Sequence, residues 1–155
     1  MNLTIIGTGY VGLVTGACFA EFGYSVTCID KDNERLEMLQ SGKCPFFEPS
    51  MDELLDKHIN KTKLISFSST IKNNLDKTDI IFITVGTPTR RLEEEADLSF
   101  VWQVADEIAD NINNYCLVVT KSTVPVGTTR EVKKIISKKV NRNLFDVVSN
   151  PEFLR

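Results

Sequence analysis

The chain has 155 residues, 18 Lys and Arg against 21 Asp and Glu, and a net charge of −3, with 42% hydrophobic residues. This length and composition predict one globular domain with a sizeable core, and the weak negative charge argues against nucleic acid or an anionic membrane as a partner. We find no pattern typical of a signal peptide and no apolar run of about 18 residues that predicts a membrane span.

The four cysteines follow no metal-binding or disulfide pattern. Cys18, Cys28, Cys44 and Cys116 form no Cys-x-x-Cys pair and no zinc spacing. Reduced thiols are therefore expected, which predicts a cytoplasmic protein without a bound metal.

A glycine-rich stretch near the N-terminus follows a predicted strand over Asn2–Ile6 and opens a predicted helix over Val11–Phe22. Its sequence is Gly7-Thr8-Gly9-Tyr10-Val11-Gly12. This spacing is typical of a dinucleotide-binding turn, so all six residues are predicted to bind the cofactor directly. Gly7 allows the tight turn, Gly9 leaves room for a pyrophosphate, and Gly12 lets the helix pack closely. The free N–H groups of the helix start favour phosphate.

The second predicted strand, Ser25–Asp30, ends on an acid about 20 residues after the glycine stretch, as expected for a ribose-binding carboxylate. The alternative for Asp30 is an N-cap of the next predicted helix, Asp32–Gln40. An acid here also repels a 2′-phosphate, so NAD is predicted over NADP. Arg35 either stacks on the adenine or is an exposed surface arginine.

The middle of the chain has weaker signals. Ser50–Glu53 predicts a capping box that opens a short helix. His58 at the end of that helix is expected either at the surface or as a partner of the helix C-terminal dipole. Lys63–Phe67 predicts a third strand and Ser69–Leu75 a short helix. The continuously apolar segment Asp79–Val85 predicts a buried strand of a parallel sheet.

The residues after that strand are small and polar, namely Gly86-Thr87-Pro88-Thr89. Because ligands bind at the carboxyl ends of parallel strands, they suit the nicotinamide ribose, and the alternative is a plain turn. The charged segment Arg90–Ala96 predicts a solvated loop, or alternatively a lid.

The second half of the chain repeats the strand–helix alternation. Asp97 or Ser99 caps a predicted helix with an apolar stripe, formed by Val101, Val104, Ala105, Ile108, Ala109 and Ile112. Cys116–Thr123 predicts strand five, Thr129–Val140 the last helix and Asp146–Ser149 strand six. The sequence therefore predicts an α/β fold, a doubly wound parallel sheet of Rossmann type with about six strands and helices on both faces.

Four blocks together resemble the NAD-binding domain of the UDP-glucose/GDP-mannose dehydrogenase family. They are Gly7–Leu13, Val85–Thr89, Lys121–Thr128 and Asn150–Arg155. The last two blocks are more specific to the family than the glycine motif. The resemblance extends along the whole chain and implies NAD as the cofactor and a nucleotide sugar as the substrate.

The resemblance also implies roles for individual residues. Asp30 and Arg35 contact the adenosine half of NAD, and the nicotinamide side is lined by Val85, Gly86, Thr87, Pro88, Thr89, Ser122, Thr123 and Val124. Thr123 helps to position a water molecule, and Glu152 donates and accepts the proton; the alternative for Glu152 is a first-turn helix acid after Pro151. The sugar-nucleotide site begins at Glu152, Phe153, Leu154 and Arg155.

The family oxidises a sugar C6 alcohol to a carboxylate through a cysteine thiolate, with two NAD⁺. Its catalytic cysteine, its lysine and its UDP-binding domain are absent from these residues, and Ser50-Met51 replaces a frequent Gly-Leu. We therefore interpret residues 1–155 as an NAD-binding domain that binds NAD without turnover. The full-length enzyme is expected to be a homo-oligomer acting on UDP-glucose, with GDP-mannose as the alternative.

Two other functions fit parts of the pattern. One is a stand-alone NAD-binding module that senses redox state. The other is a 3-hydroxyacid or 6-phosphogluconate type of dehydrogenase, against which the blocks Lys121–Thr128 and Asn150–Arg155 argue.

Overall fold

The computed structural model describes residues 1–88 and 96–152. Within them the chain forms a parallel six-stranded sheet in the order β3-β2-β1-β4-β5-β6. The strands are β1 Asn2–Ile6, β2 Ser25–Ile29, β3 Ile65–Ser68, β4 Ile80–Ile83, β5 Cys116–Thr120 and β6 Phe145–Ser149. This order, in which β1 pairs with both β2 and β4, is that of a doubly wound nucleotide-binding fold, so the predicted fold class is confirmed.

Helices connect the strands and cover both faces of the sheet. They are α1 Tyr10–Glu21, α2 Asn33–Gln40, α3 Met51–Asp56, α4 Ser99–Asn111 and α5 Thr128–Ser137, with a π-helical segment at Lys57–Lys61 and a 3₁₀ turn at Arg142–Leu144. None of the helices in the described part of the chain has the length and apolar character needed to cross a membrane.

The core consists of two apolar layers, one on each face of the sheet. Because successive strand residues point to opposite faces, Ile5 of β1 packs with α1, α2 and α3, whereas Ile6 packs with α4 and α5. The predicted stripe of α4 is buried in the second layer. The central strands β1, β4 and β5 are buried on both sides, which explains their largely apolar sequences, whereas the edge strands β3 and β6 mix buried and exposed residues.

Gly16 explains how closely α1 lies on the sheet. A Cβ atom on Gly16 would lie 3.1 Å from the Cys28 sulfur, so a larger residue would push α1 away from β2. Gly12, Gly16 and Ala20 recur every four residues and form a small, buried face of this helix.

The predicted helix over Ser69–Leu75 was wrong, because these residues form turns. The amide group of Asn74 donates to Ser68 Oγ at 3.0 Å and to the Thr70 carbonyl at 2.9 Å. Asn73 adopts a left-handed φ of 66°. Local side-chain bonds of this kind satisfy the backbone without a helix.

The predicted capping box at Ser50–Glu53 was also wrong. Ser50 precedes α3 in a left-handed conformation with φ 61°, and its side chain makes no capping hydrogen bond. The carboxylate of Asp52 instead accepts a 2.7 Å hydrogen bond from the Cys44 N–H, which ties the preceding connector to the helix.

His58 lies in the interior, where the sequence predicted a surface residue. Only 2% of it is exposed. Its Nε2 atom lies 2.8 Å from Glu21 Oε2 and its Nδ1 atom lies 3.0 Å from Thr62 Oγ1. The ring therefore joins the end of α1 to the π-helical segment, with both nitrogens satisfied.

The four cysteines are free thiols in different surroundings. Cys18 is exposed on α1, and Cys44 is half-buried in the connector before α3. Burial raises the pKa of the Cys28 thiol to about 12 and that of the Cys116 thiol to about 11. Cys28 belongs to the layer under α1, and Cys116 belongs to the layer under α4 and α5.

Candidate functional site

A cleft of about 540 Å³ opens at the carboxyl ends of the central strands, a typical size for a small-molecule site. It lies where the chain crosses from β1 to β2 on one side and to β4 on the other, which is the usual ligand position in this architecture. Its walls include Gly7, Gly9, Asp30, Arg35, Val85 and Gly86, together with Phe100, Gln103 and Glu107 of α4.

The turn after β1 forms the floor of the cleft. Gly7 has a φ of 101°, which favours glycine, and its N–H donates to the Ile29 carbonyl at 2.8 Å. A Cβ atom on Gly7 would lie 2.9 Å from the Thr84 carbonyl oxygen. The Thr84 hydroxyl is bonded at 2.9 Å to the carbonyl of Ile6 and at 2.7 Å to that of Gly7. The turn is therefore held from both neighbouring strands.

The start of α1 lies directly on this turn. A Cβ atom on Gly12 would approach the Gly7 carbonyl oxygen to 1.9 Å, so only glycine fits there. Gly9 differs, because a Cβ atom built on it would meet nothing within 4 Å. Gly9 is the N-cap, and in the described structure no side chain caps the helix start and no acid lies in its first turn. The first N–H groups therefore remain available to an anion.

Asp30 follows β2 at one wall of the cleft. Its Oδ2 atom accepts from the Thr8 N–H and the Thr8 hydroxyl at 2.7 Å each, and its Oδ1 atom accepts from the Asp32 N–H at 3.0 Å. Burial by itself raises the pKa of Asp30, but these hydrogen bonds and the charge of Arg35 outweigh it and lower the pKa. The carboxylate is therefore ionised at neutral pH.

Arg35 is paired with two acids rather than free at the surface. Its guanidinium lies 3.0 Å from Asp30 Oδ2 and 3.5 Å from Asp32 Oδ2, with 35% of its side chain exposed. Asp32 caps α2 by accepting from the Arg35 N–H at 3.1 Å. The N-cap of α2 is therefore Asp32 and not Asp30, and the Asp30 carboxylate faces the turn and the cleft instead.

The loops after β4 and β5 are hydrogen-bonded to each other. The Ser122 hydroxyl donates to the Val85 carbonyl at 2.7 Å, and the Thr87 hydroxyl donates to the Thr123 carbonyl at 3.0 Å. Val85 and Gly86 line the cleft, whereas Thr123 is exposed and Pro88 and Val124 flank the two loops. The predicted residue Thr89 and the charged loop Arg90–Glu95 lie outside the described residues.

Tyr10 projects away from the cleft, although it belongs to the glycine motif. Its hydroxyl donates to Glu48 Oε2 at 2.6 Å, and its ring lies 5.2 Å from that of Phe46. The hydrogen bond and charge of Glu48 raise the pKa of Tyr10, and the charge of Glu152 adds to this effect. Val11, the next residue, is half-buried, and its carbonyl accepts from the Thr15 hydroxyl at 2.6 Å.

Glu152 lies at a second, smaller groove of about 280 Å³ between α1 and the ends of β5 and β6. Its Oε2 atom lies 2.9 Å from the Lys121 ammonium, which is also 3.5 Å from Asn150 Oδ1. The lysine side chain is only 16% exposed, so this pair is partly screened from water. Phe153, Leu154 and Arg155 lie outside the described residues.

Several lining residues were missed by the sequence analysis. Phe100, Gln103 and Glu107 follow one another at helical spacing beside the apolar stripe of α4, a signal that could have identified a second functional face. Lys121 is a charged residue directly after a buried strand, and this pattern could have identified it as a site residue. In the described ranges no group of three or more His, Cys, Asp or Glu is arranged to hold a metal.

A protein-family model described as "UDP-glucose/GDP-mannose dehydrogenase family, NAD binding domain" matches residues 1–155. Among curated proteins, a UDP-glucose 6-dehydrogenase of Rhizobium meliloti (strain 1021) is 48% identical over 155 residues, which are 100% of this chain and 35% of that protein. The chain thus spans about a third of the length of this relative.

Two solved structures have the same fold over nearly the whole chain. A UDP-glucose dehydrogenase from Pyrobaculum islandicum has a TM-score of 0.91 and 35% identity, covering 99% of this chain and 36% of its own. A GDP-mannose dehydrogenase from Pseudomonas aeruginosa has a TM-score of 0.93 and 32% identity, covering 100% of this chain and 37% of its own.

Proposed function

This chain belongs to the UDP-glucose/GDP-mannose dehydrogenase family as its NAD-binding domain, and from this premise we propose that it serves a UDP-glucose 6-dehydrogenase. Its cofactor is NAD. In the proposed reaction, UDP-glucose, two NAD⁺ and water give UDP-glucuronate and two NADH. The observation that carries the proposal is the cleft in which the glycine turn, an uncapped helix start and an ionised Asp30 meet.

The residues of the cleft fit the phosphates of NAD, which as a bound cofactor supplies the hydride acceptor. The open space above Gly9 allows a pyrophosphate to approach the backbone. The N–H groups of Tyr10, Val11 and Gly12 then face it with the positive end of the α1 dipole. A side chain on Gly9 would occupy that space.

Asp30 selects between NAD and NADP in this proposal. As an ionised carboxylate it accepts hydrogen bonds from the ribose hydroxyls, whereas a 2′-phosphate brings like charges together without a donor. Arg35 is held beside Asp30 at 3.0 Å, so its planar guanidinium is available to the adenine. Its charge is balanced by Asp30 and Asp32, which weakens any attraction for a 2′-phosphate.

In this proposal the nicotinamide half lies against the linked loops at Val85–Pro88 and Ser122–Val124, and Thr89 is the next residue in the sequence. The hydroxyls of Ser122 and Thr87 each donate a hydrogen bond to a carbonyl of the facing loop, and these bonds fix the two loop backbones relative to each other. Fixed loops lower the entropy that the site loses when it orients a ligand. Thr123 is exposed, and its hydroxyl makes no hydrogen bond among the described residues, so in this proposal it holds a water molecule.

Glu152 is the proposed proton donor and acceptor. The Lys121 ammonium, 2.9 Å from its Oε2 atom, holds the carboxylate in place, and the carboxylate can take a proton from water or from the sugar alcohol. Phe153, Leu154 and Arg155 continue from Glu152 in the sequence, and we propose that these four residues begin the sugar-nucleotide site.

We propose that residues 1–155 by themselves bind NAD without oxidising UDP-glucose. The oxidation to an acid needs a thiolate near the sugar C6 atom. Cys28 and Cys116 are buried with pKa values of about 12 and about 11, and burial together with nearby acids also raises the pKa of Cys44. These three thiols are disfavoured as nucleophiles. Cys18 is exposed on α1 and lines the smaller groove with Glu152, outside the residues that line the cofactor cleft.

GDP-mannose is the second candidate substrate, favoured by the likeness to the GDP-mannose dehydrogenase at 32% identity. The 48% identity to a UDP-glucose 6-dehydrogenase favours UDP-glucose. Steady-state kinetics of the enzyme that contains this chain, with each nucleotide sugar and NAD⁺, separate the two. A higher kcat/KM with GDP-mannose would overturn the substrate proposal.

The cofactor site is tested by titration calorimetry of the 155-residue chain with NAD⁺ and NADP⁺. We expect NAD⁺ to bind more tightly, and Asp30→Ala to weaken NAD⁺ and narrow the difference. Asp32→Asn is the matched control, because it removes one negative charge two residues away while its amide oxygen still caps α2. Equal affinities for both cofactors in the wild type, or the same effect from both variants, would contradict the proposed site.

A further inference from the structure

We propose that Thr8 is a positioning residue that fixes the Asp30 carboxylate for cofactor selection, in place of the direct cofactor contact that the sequence predicted. This inference rests on the proposed cofactor cleft. It identifies which part of the glycine motif determines how well the cleft recognises the adenosine ribose.

Thr8 is the one residue between Gly7 and Gly9, and it is completely buried, with 0% exposure. A buried side chain has no surface to offer a ligand in the cleft. Its two donors both reach the same atom, because the N–H and the hydroxyl each lie 2.7 Å from Asp30 Oδ2. Short hydrogen bonds to a charged oxygen belong to the stronger class.

These two bonds decide which oxygen of Asp30 remains available. Oδ2 also accepts from the Arg35 guanidinium at 3.0 Å, so three donors meet at an oxygen with two lone pairs. Oδ1 accepts only the Asp32 N–H, at 3.0 Å, among the hydrogen bonds of the described residues. The spare acceptor capacity is therefore on Oδ1, and Thr8 holds the carboxylate in the orientation that presents it.

The same bonds connect two parts of the site that lie 22 residues apart in the sequence. Thr8 belongs to the turn that we assign to the pyrophosphate, and Asp30 is the acid that we assign to the ribose. A third bond, from the Gly7 N–H to the Ile29 carbonyl at 2.8 Å, runs beside these two. The turn and the acid are therefore held at one separation, so the protein site is preorganised for the cofactor.

A double-mutant cycle on NAD⁺ affinity tests this role, with calorimetry on the 155-residue chain. Thr8→Val keeps the branched shape but removes the hydroxyl, and we expect it to weaken NAD⁺ binding about tenfold, as for a lost hydrogen bond to a charged group. In the Asp30→Ala background the same substitution should change the affinity by less than about twofold, because its partner is already absent. NADP⁺ should be weakened less than NAD⁺.

Thr8→Ser and Thr8→Ala form a second pair, which separates the hydroxyl from packing if the valine variant folds poorly. Serine should retain affinity near the wild type, and alanine should lose it. Equal losses from Thr8→Val in both backgrounds would overturn the proposal, because they would show that Thr8 acts independently of Asp30. Wild-type affinity in both Thr8→Val and Thr8→Ala would overturn it as well. Failure of the wild type to bind NAD⁺ would instead contradict the proposed function.

Discussion

Gly12→Ala is expected to destabilise the fold through a single added methyl group. The new Cβ atom would lie 1.9 Å from the Gly7 carbonyl oxygen and 2.6 Å from Thr84 Oγ1. An ordinary contact needs at least 3.4 Å, so the start of α1 has to move by roughly 1.5 Å. This movement disrupts the turn that forms the floor of the cleft.

The size of the effect follows from three terms. Overpacking costs about 1–3 kcal/mol, and loss of a Thr84 hydroxyl bond costs about 1 kcal/mol. Replacement of glycine by alanine in a helix returns up to about 1 kcal/mol. We therefore expect a net loss of about 1–3 kcal/mol in the free energy of unfolding, and a fall in Tm of about 3–10 °C for a chain of this length.

Urea unfolding followed by circular dichroism, without cofactor, measures this loss. Gly9→Ala is the matched control, because its Cβ atom meets nothing within 4 Å and Gly9 has a φ of −66° that alanine readily adopts. The free energy of unfolding of this control should lie within about 0.5 kcal/mol of that of the wild type. Equal unfolding midpoints for Gly12→Ala and the wild type would refute the close approach of α1 to the turn.

Three further predictions concern the cleft and the core. Gly9→Val should weaken NAD⁺ binding, measured by calorimetry, at least about tenfold, because the branched side chain occupies the space proposed for the phosphates. The circular dichroism spectrum should not change. An unchanged affinity would place the phosphates elsewhere. The pKa of Asp30 is lowered from 3.8, so the ionised carboxylate stabilises the fold above pH 3.8, and this stabilisation is lost as the pH falls through the lowered pKa. Asp30→Asn should therefore reduce the loss of unfolding free energy between neutral and acidic pH, measured by urea unfolding. The same loss in the variant and the wild type would contradict this. His58→Leu should lower the free energy of unfolding by about 1–3 kcal/mol in the same assay, because it removes two hydrogen bonds, to Thr62 and to Glu21, although Glu21 keeps its bond to Lys57 at 2.7 Å. Loss of an exposed histidine would cost almost nothing.

The parts of the fold that sequence analysis predicted well are those with strong local patterns. Strands β1 and β2 follow apolar runs, and the helix α4 has a continuous apolar stripe, so periodicity alone located them. The glycine stretch located the turn because the spacing of its residues reflects a backbone requirement, seen in the positive φ of Gly7. Local patterns were therefore sufficient to predict these elements and the position of the cleft.

The errors concern residues whose surroundings are set by distant partners. His58 is buried and hydrogen-bonded to Glu21, which lies 37 residues away in the sequence, and no periodic pattern reports this pairing. The ion pair between Lys121 and Glu152 likewise depends on the exits of β5 and β6 coming together. In the segment 69–75, the side chain of Asn74 competed successfully with a weak helical tendency.

The positions of the cysteines make the chain its own reporter of local opening. Cys28 lies beneath α1 and Cys116 beneath α4 and α5, so each face of the sheet shields one thiol. A thiol-specific reagent should label exposed Cys18 at once, and should reach the two buried thiols only when a face opens. The labelling rates of Cys28 and Cys116, each compared with and without NAD⁺, would measure separately how much the cofactor reduces local opening of each apolar layer.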